Sequence, residues 1–118
     1  VTWSSDSIAF LDFMQWNPYQ GMEIGMTRQI TEKTRHYPFK RTAEVLPPLN
    51  ERMNIEEMLL GYTINGAIQL GIENQKGSIK AGKDADFLVF DNDLLTAEQE
   101  GFSYNSPKDV YFRGKKVK

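Results

Sequence analysis

The chain has 118 residues, 40% of them hydrophobic, with fourteen basic and sixteen acidic side chains, a formal net charge of −2 and no cysteine. That is one modest core, burying about two-thirds of the surface the unfolded chain exposes. The composition excludes disulfides, thiolate nucleophiles and Cys-ligated zinc, and it offers no run of like charges that would track phosphates.

No apolar stretch approaches the ~18–20 residues of a membrane span, and nothing at the start reads as a signal peptide. Lys108, Arg113, Lys115, Lys116 and Lys118 crowd the last eleven residues, where basic charge reads as solvation of a chain end rather than as a binding patch. Neither nucleic acid nor membrane is expected as a partner, and the expected compartment is the cytoplasm. The chain begins at Val1 without an initiator Met, as expected of a fragment or processed product.

The opening Val1-Thr2-Trp3-Ser4-Ser5-Asp6-Ser7 is β-prone and then polar, so a short strand ending in a loop is predicted. Residues 8–16 are apolar-rich, with spacings for one or two helical turns before Asn17-Pro18 stops them. Over 19–30, Met22, Ile24, Met26 and Ile30 fit neither period cleanly; a short helix ending near Thr31 is predicted. Residues 32–50 mix charge with Pro38, Pro47 and Pro48 and read as a long irregular loop.

Asn54 then offers an N-cap, with Glu57 three residues on as a capping box and Met53 and Met58 at the staple positions. A helix is predicted from Ile55 through Leu70, with Gly71 as the left-handed C′ residue and Ile72 folding back over the last turn. Gly61 and Gly66, at up to ~1 kcal/mol each relative to Ala, point to close packing against another element. After a turn at 77–83, the run Phe87-Leu88-Val89-Phe90 predicts a strand over 85–91 covered on both faces. Residues 94–107 read as a surface excursion, and 110–117 as a hairpin turning at Arg113-Gly114.

Four segments carry a family resemblance. Lys76 to Asp91 follows the pattern G-S-I-x-x-G-K-x-A-D-F-x-V-x-D, which resembles the C-terminal segment of the amidohydrolase superfamily. Trp3-Ser4-Ser5-Asp6 resembles the G-S-D motif that ends the eighth barrel strand there, with Ser4 where many relatives carry Gly. Asn17-Pro18 followed by Thr27-Arg28, and then Tyr62-Thr63-Ile64-Asn65-Gly66-Ala67, look like the branch called amidohydrolase family 3. Ser-Ser-Asp alone means little, since Asp after Ser is a common turn; the four segments in order carry the likeness from Val1 to Val117.

The resemblance implies metal-dependent hydrolases in which a (β/α)8 barrel sits beside a small β-sandwich. Such a barrel alone needs about 200 residues, so the implied fold class here is α+β: a fragment holding the last strand and helix of the barrel (1–72) and closing strands of a composite β-sandwich (73–118). The implied parent hydrolyses a non-peptide C–N bond in an amide, cyclic amide or formamide with a metal-activated water, and the isolated chain is expected to be inactive. Asp6 is the implied proton acceptor and metal contact.

A divalent metal, zinc by expectation, belongs to that parent and not to this chain. The family's remaining ligands lie on earlier strands, and the single histidine here, His36, cannot make a His-rich site. A solvated or locally bonded His36 is the plain reading and a place in the substrate pocket the functional one. Arg28 is either a guanidinium that orients a small-molecule substrate or a structural ion pair near the barrel mouth. Asp86 and Asp91 are expected to fix turns or bind backbone amides. The rival to the hydrolase reading is a self-standing binding or dimerisation module. Either way the isolated chain is expected to self-associate, because Trp3, Phe10, Phe13, Trp16 and the strand over 85–91 lack their neighbours.

Overall fold

The computed structural model describes residues 1–3, 17–29, 31, 45 and 47–118. Among them α1 spans Pro18–Thr27, α2 Ile55–Tyr62 and α3 Ile64–Gln69, and the strands are β1 (Phe87–Val89), β2 (Asp109–Phe112) and β3 (Lys115–Lys116). Short 3₁₀ turns occupy Leu49–Glu51, Leu94–Thr96 and Phe102–Tyr104. This is a small α+β arrangement, as expected at that level; residues 8–16, 32–44 and the continuation of the first predicted strand lie outside the described residues. Residues 1–3 themselves form no strand: Trp3 donates its N–H to the Gly61 carbonyl of α2 at 3.3 Å.

Asn17-Pro18 starts a helix. The Asn17 side chain accepts the Tyr19 N–H at 2.9 Å, and Pro18 sits in the first turn, where its missing N–H costs nothing. The helix ends earlier than the predicted Thr31, because Arg28 adopts the left-handed region at φ 54° and its N–H closes onto Ile24 O at 2.7 Å. Gly21 and Gly25, one turn apart, let α2 approach closely. A Cβ at Gly21 would stand 2.3 Å from the Tyr62 hydroxyl, and one at Gly25 2.7 Å from Met58.

α2 begins where its cap dictates. The Asn54 side chain accepts the Glu57 N–H and the Glu57 carboxylate accepts the Asn54 N–H, both at 2.8 Å. The single helix predicted to Leu70 is broken at Thr63, whose φ of −126° and ψ of −100° leave helical space. Its hydroxyl donates to Leu59 O at 2.6 Å, the local side-chain bond that competes with helix continuation. α3 then closes in a Schellman motif, with Ile72 N–H on Ala67 O at 2.9 Å, Gly71 N–H on Ile68 O at 3.1 Å and Gly71 at φ 68°. Of the two internal glycines, Gly61 does mark close packing, against the Trp3 ring; Gly66 has open space beside it.

Met22, Met26, Met58 and Phe102 form the buried cluster, with Trp3, Tyr19, Met53, Leu59 and Tyr62 packed around it. Phe102 corrects the sequence reading of 94–107. Only 1% exposed, it is a keystone of the core, because a polar, turn-rich segment can still fold one aromatic inward. The core therefore draws on both sides of the expected boundary at 72/73.

The sheet is antiparallel, in the order β1-β2-β3, with Phe87 opposite Tyr111, Leu88 opposite Val110 and Val89 opposite Asp109. The Phe87 and Tyr111 rings stack at 4.5 Å between centroids. The hairpin at Arg113-Gly114 has positive φ at both residues, 49° and 75°, the turn whose twist suits two antiparallel strands. β1 is not covered on both faces: Leu88 is 47% exposed. An apolar run says that a strand wants cover; this strand receives it on one side alone.

Candidate functional site

Of the three residues singled out for chemistry, Asp6 and His36 lie outside the described residues. Arg28 is described, at the left-handed C-terminal residue of α1, a conformation that costs a non-glycine residue about 1–3 kcal/mol and persists where surroundings impose it. Its guanidinium donates to Pro47 O at 3.0 Å and stands 3.7 Å from the Glu51 carboxylate. These contacts tie the 3₁₀ turn at Leu49–Glu51 to the end of α1.

One face of α1 carries an arrangement that the sequence reading missed. Gln20, Glu23 and Thr27, at i, i+3 and i+7, are all buried, on the face beside the one that sends Met22 and Met26 into the core. The Glu23 carboxylate accepts the Ser103 N–H at 2.8 Å, and the Thr27 hydroxyl donates to Glu23 O at 2.8 Å. The Gln20 amide is 1% exposed and has no hydrogen-bond partner among the described residues. Buried carboxylates and amides are uncommon without partners. The available signal was a helical spacing of polar residues beside a helical spacing of methionines, which periodicity scored on apolar residues alone does not see.

The family-like turn is built for closure. Gly77, at φ 87°, lies where a Cβ would be 2.7 Å from Ala67, so glycine lets the turn rest on α3. The Lys76 ammonium spans Asp84, at 2.8 Å, and Asp86; the other Asp86 oxygen accepts the Arg113 N–H at 2.7 Å. Lys83 donates to the Ser78 hydroxyl at 2.7 Å. The hydrogen bonds to Asp84 and then Asp86 raise the Lys76 pKa, and those from Lys76 and then the Arg113 amide hold the Asp86 carboxyl below its ordinary range. Asp91 pairs with Lys108 at 2.7 Å. Asp86 thus binds a backbone amide, as expected, whereas the contact of Asp91 is an exposed ion pair with a side chain.

Beside this latch an open groove of about 610 Å³ runs between α2–α3 and β1, lined by Leu59, Tyr62, Ala67, Leu70, Phe87 and Leu88 among others. Burial raises the Tyr62 phenol pKa. Among the described residues there is no group of three or more His, Cys, Asp or Glu able to hold a metal, so they do not fit a divalent-metal centre. No described helix is long and apolar enough to cross a membrane.

Comparison with known proteins gives the family. The chain is similar to the imidazolonepropionase of Shewanella baltica (strain OS155 / ATCC BAA-1091), with 46% identity over 68 residues that make up 56% of this chain and 16% of that protein. It is similar to the imidazolonepropionase of Bdellovibrio bacteriovorus, with 38% identity over 73 residues, 62% of this chain and 17% of that protein. The chain thus spans about one sixth of these relatives' length. No solved structure matches. The profile of the amidohydrolase family matches residues 5–117, leaving only the two chain ends outside, and the chain belongs to the amidohydrolase family.

Proposed function

We propose that this chain is the C-terminal part of a hydrolase of non-peptide C–N bonds, and that its substrate is a cyclic amide. The observation that carries the reading is the family match over 5–117, a stretch that takes in Asp6 as well as the latch. The cyclic amide comes from the relatives, which are named for an imidazolone propionate. The three-stranded sheet is then part of a β-sandwich, and the segment through α2 and α3 the end of a barrel.

In this reading Asp6 accepts a proton from the attacking water as its oxygen bonds to the amide carbon, and returns it to the departing nitrogen as the C–N bond breaks. The product is a single ring-opened molecule carrying both the new carboxylic acid and the freed nitrogen. Arg28 supports the mouth of the site through Pro47 and Glu51, and His36 lines the substrate pocket. A divalent metal would be held by Asp6 together with ligands elsewhere in the parent protein, the described residues offering no set for it, and the isolated chain is inactive. The test is a panel of imidazolone, hydantoin, linear amide and formamide substrates offered to the complete protein. Ring opening of cyclic amides is the expected result. Turnover confined to esters or phosphates, or cyclic-amide hydrolysis by the 118-residue chain alone, overturns the proposal.

A further inference from the structure

α1 is held from three directions. Gly21 and Gly25 seat it against Tyr62 and Met58 of α2, Arg28 ties its end to Pro47 and Glu51, and the 3₁₀ turn at Phe102–Tyr104 grips its first half. At that third contact the Phe102 ring enters the methionine cluster, and Tyr19 stands edge-on to Phe90 at 5.9 Å between ring centroids. The Ser103 peptide group is bonded at both ends: its N–H donates to the Glu23 carboxylate at 2.8 Å, and its carbonyl accepts the Asn17 side-chain amide at 3.5 Å.

The apolar and polar parts of this contact do different things. Phe102 sits among Met22, Met26 and Met58, flexible side chains that fill space without fixing direction, and hydrophobic burial is itself non-directional. Such a surface lets a helix turn or slide at small cost. A carboxylate on a backbone N–H does not, because hydrogen bonds weaken steeply with misalignment, and Glu23 is 5% exposed, so little water is at hand to replace a lost bond. Taking a carboxylate out of water is costly. One more methionine at this position would fill the core without that cost, so the carboxylate serves orientation rather than packing.

We propose that Glu23 is a positioning residue of the hydrolase: through the Ser103 amide it fixes the rotation of α1 about its own axis, and with it the point from which the segment bearing Asp6 departs. This role rests on the C–N hydrolase reading. Asp6 stands eleven residues before Asn17, and its segment joins α1 at the residue whose side chain both caps the helix, by accepting the Tyr19 N–H, and reaches Ser103 O. A shift at Ser103 is passed through Asn17 and α1 to the base of that segment. A misplacement of about 1 Å at a reacting group is worth about 100-fold in rate, so a bond that touches neither substrate nor Asp6 bears on turnover.

The complete protein carrying Glu23→Met, Glu23→Asp or Glu23→Gln, assayed on the cyclic amide it opens fastest, reads the role, with circular dichroism to verify folding and hydrogen exchange at the Ser103 amide to verify the state of the bond. Methionine matches glutamate in length and offers no oxygen, aspartate keeps the charge one methylene short, and glutamine keeps an acceptor in place. Glu23→Met and Glu23→Asp are expected to speed exchange at Ser103 and to lower kcat by about tenfold or more, with KM within about threefold, the pattern of an interaction that serves the transition state. Glu23→Gln should restore both. A residue that only holds the fold would shift the urea midpoint and leave kcat of the folded protein unchanged. Where Glu23→Met does not fold, Glu23→Asp reads the same quantities. Folded variants with a fast-exchanging Ser103 amide and wild-type kcat overturn the proposal, as does a wild-type Ser103 amide that exchanges freely, or a Glu23→Gln protein that protects the amide and stays slow. A wild-type protein that opens no C–N bond overturns the hydrolase reading and this role with it, an outcome told apart because no variant is needed to see it.

Discussion

Replacing Phe102 with alanine tests whether the segment over 94–107 is core, as its structure shows, or excursion, as its sequence suggests. The ring is 1% exposed and meets Met22, Met26 and Met58, all nearly as buried, with Tyr19 at 6.5 Å between ring centroids. Truncating a buried Phe costs about 3–5 kcal/mol, from lost transfer energy and the cavity left behind. Methionine is the side chain best able to subside into a void, which puts the expectation at the lower end, about 3–4 kcal/mol. Against a total stability of about 5–15 kcal/mol that is a large share, and at about 4 °C per kcal/mol it lowers Tm by roughly 12–16 °C. Urea unfolding at fixed protein concentration measures it, the concentration held because association shifts apparent stability. Leu95→Ala, in the same segment but 54% exposed, is the control and should change stability by about 0.5 kcal/mol or less. A Phe102→Ala loss below about 1 kcal/mol refutes the reasoning, since no filled core site is that tolerant.

Asn54→Ala should cost about 1 kcal/mol in the same assay, with Asn54→Ser largely restoring it, because a serine oxygen serves the same N–H. Gly61→Ala places a methyl 1.8 Å from the Trp3 ring and should expel that ring, seen as a red-shifted, more quenchable tryptophan emission despite alanine's ~1 kcal/mol better helix propensity. The Asp86 carboxyl, held low by Lys76 and the Arg113 amide, contributes stability that is full above its ordinary value and lost as pH falls through the lower folded one. Lys76, held high by Asp84 and Asp86, contributes stability that is full below its ordinary value and lost as pH rises through the higher folded one. Carboxyl NMR titration should find the Asp86 midpoint below that of a free aspartate, and Lys76→Met should move it upward.

Legibility of the fold followed the reach of each signal. The start of α2 was readable because a capping box is local: Asn54 and Glu57 satisfy each other whatever surrounds them. The Gly71 ending and the Arg113-Gly114 turn were readable for the same reason, being set by backbone conformations that few residues tolerate. The break at Thr63 was not, because Leu59 O is a competitor that appears only once the helix exists. Phe102 was misread because burial is decided by partners some eighty residues away, α1 above all. The Gly21 and Gly25 packing against Tyr62 and Met58 depends equally on a distant helix.

The site was less legible than the family. The most recognisable stretch, Lys76 to Asp91, proves to be architecture, with Gly77 resting on Ala67, Lys76 bridging two carboxylates and Asp86 binding the hairpin. A closure motif needs a fixed set of residue types at fixed spacing, which is what makes it recognisable. Chemistry drawn from one residue per strand leaves only isolated letters, such as Asp6. Arg28 was visible as a cation and ambiguous in role, and the contacts with Pro47 and Glu51 show what its backbone conformation serves.

The most direct test of the central claim, that this chain brings Asp6 to a C–N hydrolase, is the turnover of the complete protein carrying Asp6→Asn on the cyclic amide it opens fastest. The expected result is an unchanged fold and a fall in kcat of about 100-fold or more, since a positioned proton acceptor contributes about 10²–10⁴. Turnover within a few-fold of wild type, with the fold intact, would contradict it.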